Sequence, residues 1–235
     1  MSGSEPSFGG VSISDFLLAC ASPGECAGLR HLYHPVICGV GKTAAALSLY
    51  GHLRGHPAVR AVLLFGFAGA YPDRHRNTRI PVRVGEVCIV GSDRFGDEGV
   101  ETPAGFVDIE QVLGSTHLSA HGKTFPGPST FPSNPRMAQE AAELLGVPIV
   151  HGVTVSTCSG TEATSERMRR RTGADIETME GAAVAYVCRQ LELPLLHVRA
   201  ISNWTGDRDR GEWEVGAAAA VEALRRAFER LFARS

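Results

Sequence analysis

Three side chains between residues 175 and 213 carry chemistry that their surroundings do not demand. The stretch reads DIETMEGAAVAYVCRQLELPLLHVRAISNWTGDRDRGEW. Glu180 opens an Ala-rich run that predicts a helix over 181–191. A carboxylate there can serve the helix dipole or accept a ligand's hydrogen bonds. Arg199 lies inside LLHVRAIS, an apolar strand pattern. A guanidinium in such a run must be ion-paired or face a cleft, because burying it alone is costly. Asn203 falls at the end of the same strand. In open α/β sheets, ligands bind outside the carboxyl ends of strands. An amide placed there can donate and accept at once, although a turn Asn near Gly and Asp is the alternative.

A glycine pair invites two nucleotide-binding readings, and both fail on spacing. In Cys38-Gly39-Val40-Gly41-Lys42-Thr43-Ala44 the phosphate-cradling P-loop would need Gly at 36, where the chain has Val36. The dinucleotide fingerprint needs an acidic residue about 20 positions on, and 59–67 offers none. Two glycines that let a helix start lie close to a sheet explain the pair. The amide-rich helix start can still face a ligand.

The elements that must position these residues alternate between β-rich and helical patterns. Strands are expected over 16–21, 35–38, 61–67, 86–90, 147–156 and 195–201. Helices are expected over 42–53, 181–191 and 214–232, the last with Val221, Leu224, Phe228 and Leu231 on one stripe. This order predicts an α/β fold with a mainly parallel sheet. Residues 93–133 are rich in Gly, Pro and polar residues and read as a long functional or mobile loop. Residues 1–14 read as a loose tail and 15–235 as a single domain.

The 235 residues carry 23 basic and 25 acidic side chains, so no basic excess supports nucleic-acid or acidic-membrane binding. No apolar run approaches a membrane span. The start lacks the basic-then-apolar pattern of a signal peptide. Six cysteines form no CxxC pair, and nine histidines lack ligand spacing, so no metal site is expected. Buried reduced thiols fit a cytoplasmic protein.

Taken in order, Met179-Glu180-Gly181-Ala182-Ala183 and Val198-Arg199-Ala200-Ile201-Ser202 resemble the purine nucleoside phosphorylase/nucleosidase superfamily. Similarity extends through Gly39-Val40-Gly41-Lys42, Gly66-Phe67-Ala68-Gly69 and Val84-Gly85-Glu86-Val87, and covers the chain from about residue 16 onward. Segments 95–106 and 202–210 resemble the branch that hydrolyses futalosine. The resemblance implies a three-layer α/β fold with a mixed, mainly parallel central sheet flanked by helices. It implies an N-glycosyl hydrolase that releases hypoxanthine and dehypoxanthine futalosine for menaquinone biosynthesis. Methylthioadenosine/S-adenosylhomocysteine nucleosidase and a non-catalytic nucleotide-binding module are the competing readings. No cofactor is needed, and a homo-oligomer is implied.

Carried over residue by residue, the resemblance makes Glu25 the group that activates water. Glu180 holds the ribose hydroxyls, Arg199 fixes the water and the carboxylates, and Asn203 binds a 6-oxopurine. Phe67, Ala68, Gly69, Thr157, Cys158, Met179, Trp204 and Arg208 are expected to contact substrate. Trp204 and Phe67 are candidates to stack on the base, because the loop 156–161 carries no aromatic ring. Arg208 and Arg210, beside Trp204 and Trp213, are candidates for the carboxyphenyl end. Leu64 and Phe67 stand where hexameric phosphorylases carry phosphate-binding side chains, and neither offers a fork of donors.

Overall fold

A computed structural model describes residues 5–72, 82–113, 130–207 and 209–233. The chain opens with a hairpin, β1 (Ser7–Phe8) and β2 (Val11–Ser12), followed by β3 (Phe16–Cys20), α1 (Arg30–Tyr33), β4 (Val36–Ile37), α2 (Lys42–Gly55) and β5 (Ala61–Ala70). The middle holds β6 (Val87–Phe95), the hairpin β7 (Gly99–Thr102) and β8 (Gly105–Asp108), α3 (Ile109–Leu113), β9 (Thr130–Pro132) and α4 (Pro135–Leu145). It closes with β10 (Ile149–Thr154), α5 (Glu162–Thr172), β11 (Ile176–Thr178), α6 (Gly181–Gln190), β12 (Leu195–Trp204) and α7 (Arg210–Leu231).

The central sheet runs β11-β10-β6-β12-β5-β3-β4, with β9 added to β6. β11 also pairs with β5, so β5, β12, β6, β10 and β11 close into a ring. Pairings β3–β4, β3–β5, β12–β5, β10–β6 and β10–β11 are parallel, whereas β12–β6, β11–β5 and β6–β9 are antiparallel. The sheet is therefore mixed and mainly parallel, as expected. The sequence AVLLFGFAGA of β5 is apolar throughout because this strand is covered on both faces. α4 and α7 pack one apolar layer over β3, β5 and β12, and α2 and α6 pack the other.

Three expectations are corrected. Residues 7–13 are not loose: Phe8 and Ile13 enter the core, and Gly9 N donates to Glu140 Oε2 (2.7 Å). Residues 93–113 are not one loop, because β6 continues to Phe95 and then β7, β8 and α3 follow. Arg171 and Arg94 tie that hairpin down through Asp108. α7 starts at Arg210, four residues before the expected 214, with Asp209 capping it through Glu212 N.

Candidate active site

The cavity of about 230 Å³ lies where loops after β3 and β11 meet the last residues of β5 and β12. Its wall includes Ser22, Glu25, Val40, Phe67, Ala68, Gly69, Cys158, Glu177, Met179, Glu180, Ser202, Asn203 and Trp213.

Beneath one end sits Arg199, fully buried and opposite Gly66 in the β12–β5 register. A Cβ at Gly66 would stand 2.3 Å from Glu25 Oε1 and 2.6 Å from Arg199 Nη1. Only glycine lets two charged side chains lie against the strand there. Arg199 Nε donates to His197 Nε2 (2.7 Å), and Nη1 donates to Phe67 O (3.1 Å). Its two Nη atoms stand 3.7 Å from Glu25 Oε1 and 3.7 Å from Glu180 Oε2. Nη2 has no hydrogen-bond partner among the described residues. One guanidinium thus serves two buried carboxylates, which makes each affordable in a low-dielectric wall.

Glu25 sits in the loop after β3 and folds back onto it. Its Oε2 accepts from Ala21 N and Ser22 N (2.8 Å each), and its Oε1 accepts from Phe67 N (2.9 Å). An oxygen with two lone pairs and one amide donor, as Oε1 has, keeps a direction open to water. Glu180 Oε1 accepts from Gly41 N (2.9 Å). The glycine pair therefore presents an amide to a protein carboxylate rather than to a phosphate. Burial raises the Glu180 carboxyl above its ordinary value, against the pull of Arg199.

His197 is a site residue that the sequence analysis overlooked. Burial, with Arg199 beside it, lowers its pKa well below the usual value, so the ring is neutral. Arg199 can only donate, so Nε2 accepts and Nδ1 carries the proton. Successive odd positions of a strand share a face, so 197 beside 199 was a legible signal.

At the other end, a register shift between Ile201 and Asn203 re-aims the Asn203 side chain. Asn203 Oδ1 accepts from Ser202 Oγ (2.8 Å), and Nδ2 donates to Trp204 O (2.8 Å). One amide hydrogen and one lone pair stay free for a ligand. Glu177 accepts from Tyr71 OH (2.7 Å), Ser159 Oγ (2.6 Å) and Ser159 N (2.8 Å), which pins the loop behind Cys158.

Of the expected substrate contacts, Phe67, Ala68, Gly69, Cys158 and Met179 line the cavity with Glu25, Glu180 and Asn203. Thr157 and Trp204 do not. Trp204 ends the strand exposed, while Trp213 in the first turn of α7, equally exposed, lines the wall. Arg208 lies outside the described residues. Arg210 is exposed and pairs with Glu214. Leu64 is buried in the core beneath α2. Among the described residues, no group of His, Cys, Asp and Glu could hold a metal ion, and no helix is long and apolar enough to cross a membrane.

Residues 29–234 match the model of the phosphorylase superfamily. The chain belongs to that superfamily. Futalosine hydrolase of Thermus thermophilus is 34% identical over 195 residues, spanning 83% of this chain and 79% of that protein. Futalosine hydrolase of Streptomyces coelicolor is 34% identical over 141 residues, 59% of this chain and 54% of that protein. Among solved structures, a methylthioadenosine/S-adenosylhomocysteine nucleosidase of Neisseria meningitidis aligns with TM-score 0.72 at 18% identity, covering 92% of this chain and 97% of that one. Native futalosine hydrolase of Helicobacter pylori aligns with TM-score 0.68 at 15% identity, covering 91% and 97%. These structures show the superfamily fold. The relatives bear out the expected enzyme class, an N-glycosyl hydrolase.

Proposed function

We propose that the chain hydrolyses the N-glycosidic bond of futalosine, releasing hypoxanthine and dehypoxanthine futalosine for menaquinone biosynthesis. The observation that carries this reading is the buried triad Glu25–Arg199–Glu180 at one end of a cavity whose other end presents Asn203. The futalosine hydrolases named above support the substrate.

Water binds at the open lone pair of Glu25 Oε1, whose carboxylate Arg199 holds from beneath the wall. Glu25 takes its proton as the oxygen attacks the anomeric carbon. Glu180 accepts from the ribose hydroxyls, and those bonds strengthen as the sugar becomes oxocarbenium-like, so they favour the transition state. Asn203 donates from Nδ2 to purine O6 and accepts at Oδ1 from a protonated N7, with solvent as the proton source. A 6-amino group would face the Asn203 donor with another donor. Phe67 and Trp213 offer apolar surface to the base and to the carboxyphenyl end. The active form is a homo-oligomer acting in the cytoplasm.

Electrostatics favours water over phosphate as the acceptor. Among the described residues, the cavity wall carries Glu25, Glu177 and Glu180 and no Lys, Arg or His. Arg94 is held by Asp108 away from it. Among the described residues, a phosphate dianion there would meet carboxylates without an unpaired cation.

Release of free base in phosphate-free buffer, compared for futalosine, inosine and methylthioadenosine, tests the proposal. Hypoxanthine from futalosine, with little base from the other two, is expected. Adenine from methylthioadenosine as the main product would transfer the chain to the methylthioadenosine nucleosidases. Release only after phosphate is added would make it a phosphorylase, and binding without turnover a nucleotide-binding module.

A further inference from the structure

Helix α6 lacks the cap that its sequence position assigns to it. Residue 180 is the N-cap, yet the Glu180 side chain makes no capping bond and turns to Gly41 and Arg199 instead. The first amides of a buried helix still need acceptors. They find them on two strands. Gly181 N donates to Thr178 Oγ1 (3.3 Å), and Ala182 N donates to Thr154 Oγ1 (2.8 Å).

Behind the hydroxyls stands Asp93 of β6. Thr154 Oγ1 donates to Asp93 Oδ1 (2.9 Å), and Thr178 Oγ1 lies 3.4 Å from Asp93 Oδ2. The two hydroxyls are 3.0 Å apart. Each hydroxyl has one proton to give and receives one amide hydrogen, so the carboxylate is the terminal acceptor of the network. Asp93, Thr154 and Thr178 are all buried. Their approach depends on Gly181, where a Cβ would lie 2.0 Å from Asp93 Oδ2. Asp93 and Thr154 do not line the cavity, and the proposed chemistry uses neither.

We infer that Asp93, Thr154 and Thr178 form a substitute cap for α6 that frees the Glu180 carboxylate to face the ligand. Asp93 and Thr154 are then positioning residues for Glu180. Without Thr154 the Ala182 amide loses its acceptor, and Glu180, standing at the N-cap, would fold back to take that bond and leave the cavity. The inference rests on the reading of Glu180 as the ribose contact.

A double-mutant cycle on futalosine hydrolysis separates the two claims. Thr154→Val removes the hydroxyl at constant shape, and Thr154→Ser keeps it. With folding checked by circular dichroism, Thr154→Val is expected to lose about tenfold or more in kcat/KM, as a displaced catalytic group does. Thr154→Ser should stay within about threefold of wild type on the same scale. Thr154→Val added to Glu180→Gln should cost less than about twofold further, because groups acting as a unit are not additive. Multiplicative losses, or equal activity in the Val and Ser variants, would overturn the substitute cap while leaving Glu180 its role. Near-normal turnover by Glu180→Gln alone would overturn the ribose contact and the cap's purpose together. Asp93→Ala supplies the same cycle if Thr154→Val does not fold.

Discussion

At one end of the cavity, Glu25, Arg199 and Glu180 are charged, buried and held by partners distant in sequence. Phe67 N reaches Glu25 from β5, Gly41 N reaches Glu180 from the start of α2, and Phe67 O on β5 accepts from Arg199 on β12. At the other end, Asn203 is neutral and is held by Ser202 and Trp204, its immediate neighbours. The charged end needs the whole fold to assemble it. The neutral end needs one bulged strand terminus. In the proposed mechanism the first arrangement stabilises a developing positive charge, and the second sorts one purine edge from another. Damage to the first should therefore appear in stability and rate, and damage to the second in selectivity.

The largest effect is expected from Arg199→Met, which leaves two buried carboxylates facing each other without their cation. Breaking a buried pair in this way costs about 3–5 kcal/mol. Urea unfolding measures it, and a loss below about 1 kcal/mol would show that the charges are not coupled as the 3.7 Å separations imply.

Glu25→Gln and Glu180→Gln come next. Each should lose at least about 100-fold in rate, the usual cost of a missing base or transition-state contact. Steady-state kinetics on futalosine decides, and near-normal turnover in either variant removes that residue from the mechanism.

A pH-dependent effect follows from Asp93, behind the charged end. Burial pushes its carboxyl up to about 6, against hydrogen bonds from Thr154 and Thr178. Between about pH 4 and 6 the native chain holds a proton that the unfolded chain has released. The Asp93 contribution is full below that window and is lost as pH rises through it. Asp93→Asn lacks this loss, so its stability relative to wild type should rise by about 2–3 kcal/mol from pH 4 to pH 7. Parallel stability curves for the two proteins would contradict the buried titration.

The smallest effect belongs to the neutral end. Asn203→Asp should shift preference toward 6-amino purines by about tenfold, the scale of one exchanged hydrogen bond. An unchanged ratio of hypoxanthine to adenine release would break the contrast between the two ends.

Much of this architecture was legible from local pattern. The apolar run at 61–67 became β5, and the strand carrying Arg199 became β12, each within a few residues. Glu25 was not legible that way. It follows Pro23 and Gly24 in a loop, where a solvated carboxylate is the ordinary outcome, and its burial comes from amides of Ala21, Ser22 and Phe67. Only family resemblance pointed to it. Trp204, expected to contact substrate, does not line the cavity, whereas Trp213 does, because α7 already starts at Arg210 and carries Trp213 in its first turn. α5 received no bounds, its arginines 169–171 being read only as a solvated helix face, because its sequence EATSERMRRRT has almost no apolar face; the Thr161 capping box marks its start instead. α4 carried better signals, an Asn134 cap, Pro135 at its first position and Gly146 at its end.

The central claim is that the carboxylate pair around Arg199 activates water, not phosphate, against futalosine. Hypoxanthine release in phosphate-free buffer by wild type and Glu25→Gln, side by side, tests it most directly. The account predicts turnover by the wild type that phosphate does not accelerate, and at least about a 100-fold loss in the variant. A wild type that needs phosphate, or a variant that keeps pace with it, would contradict the account.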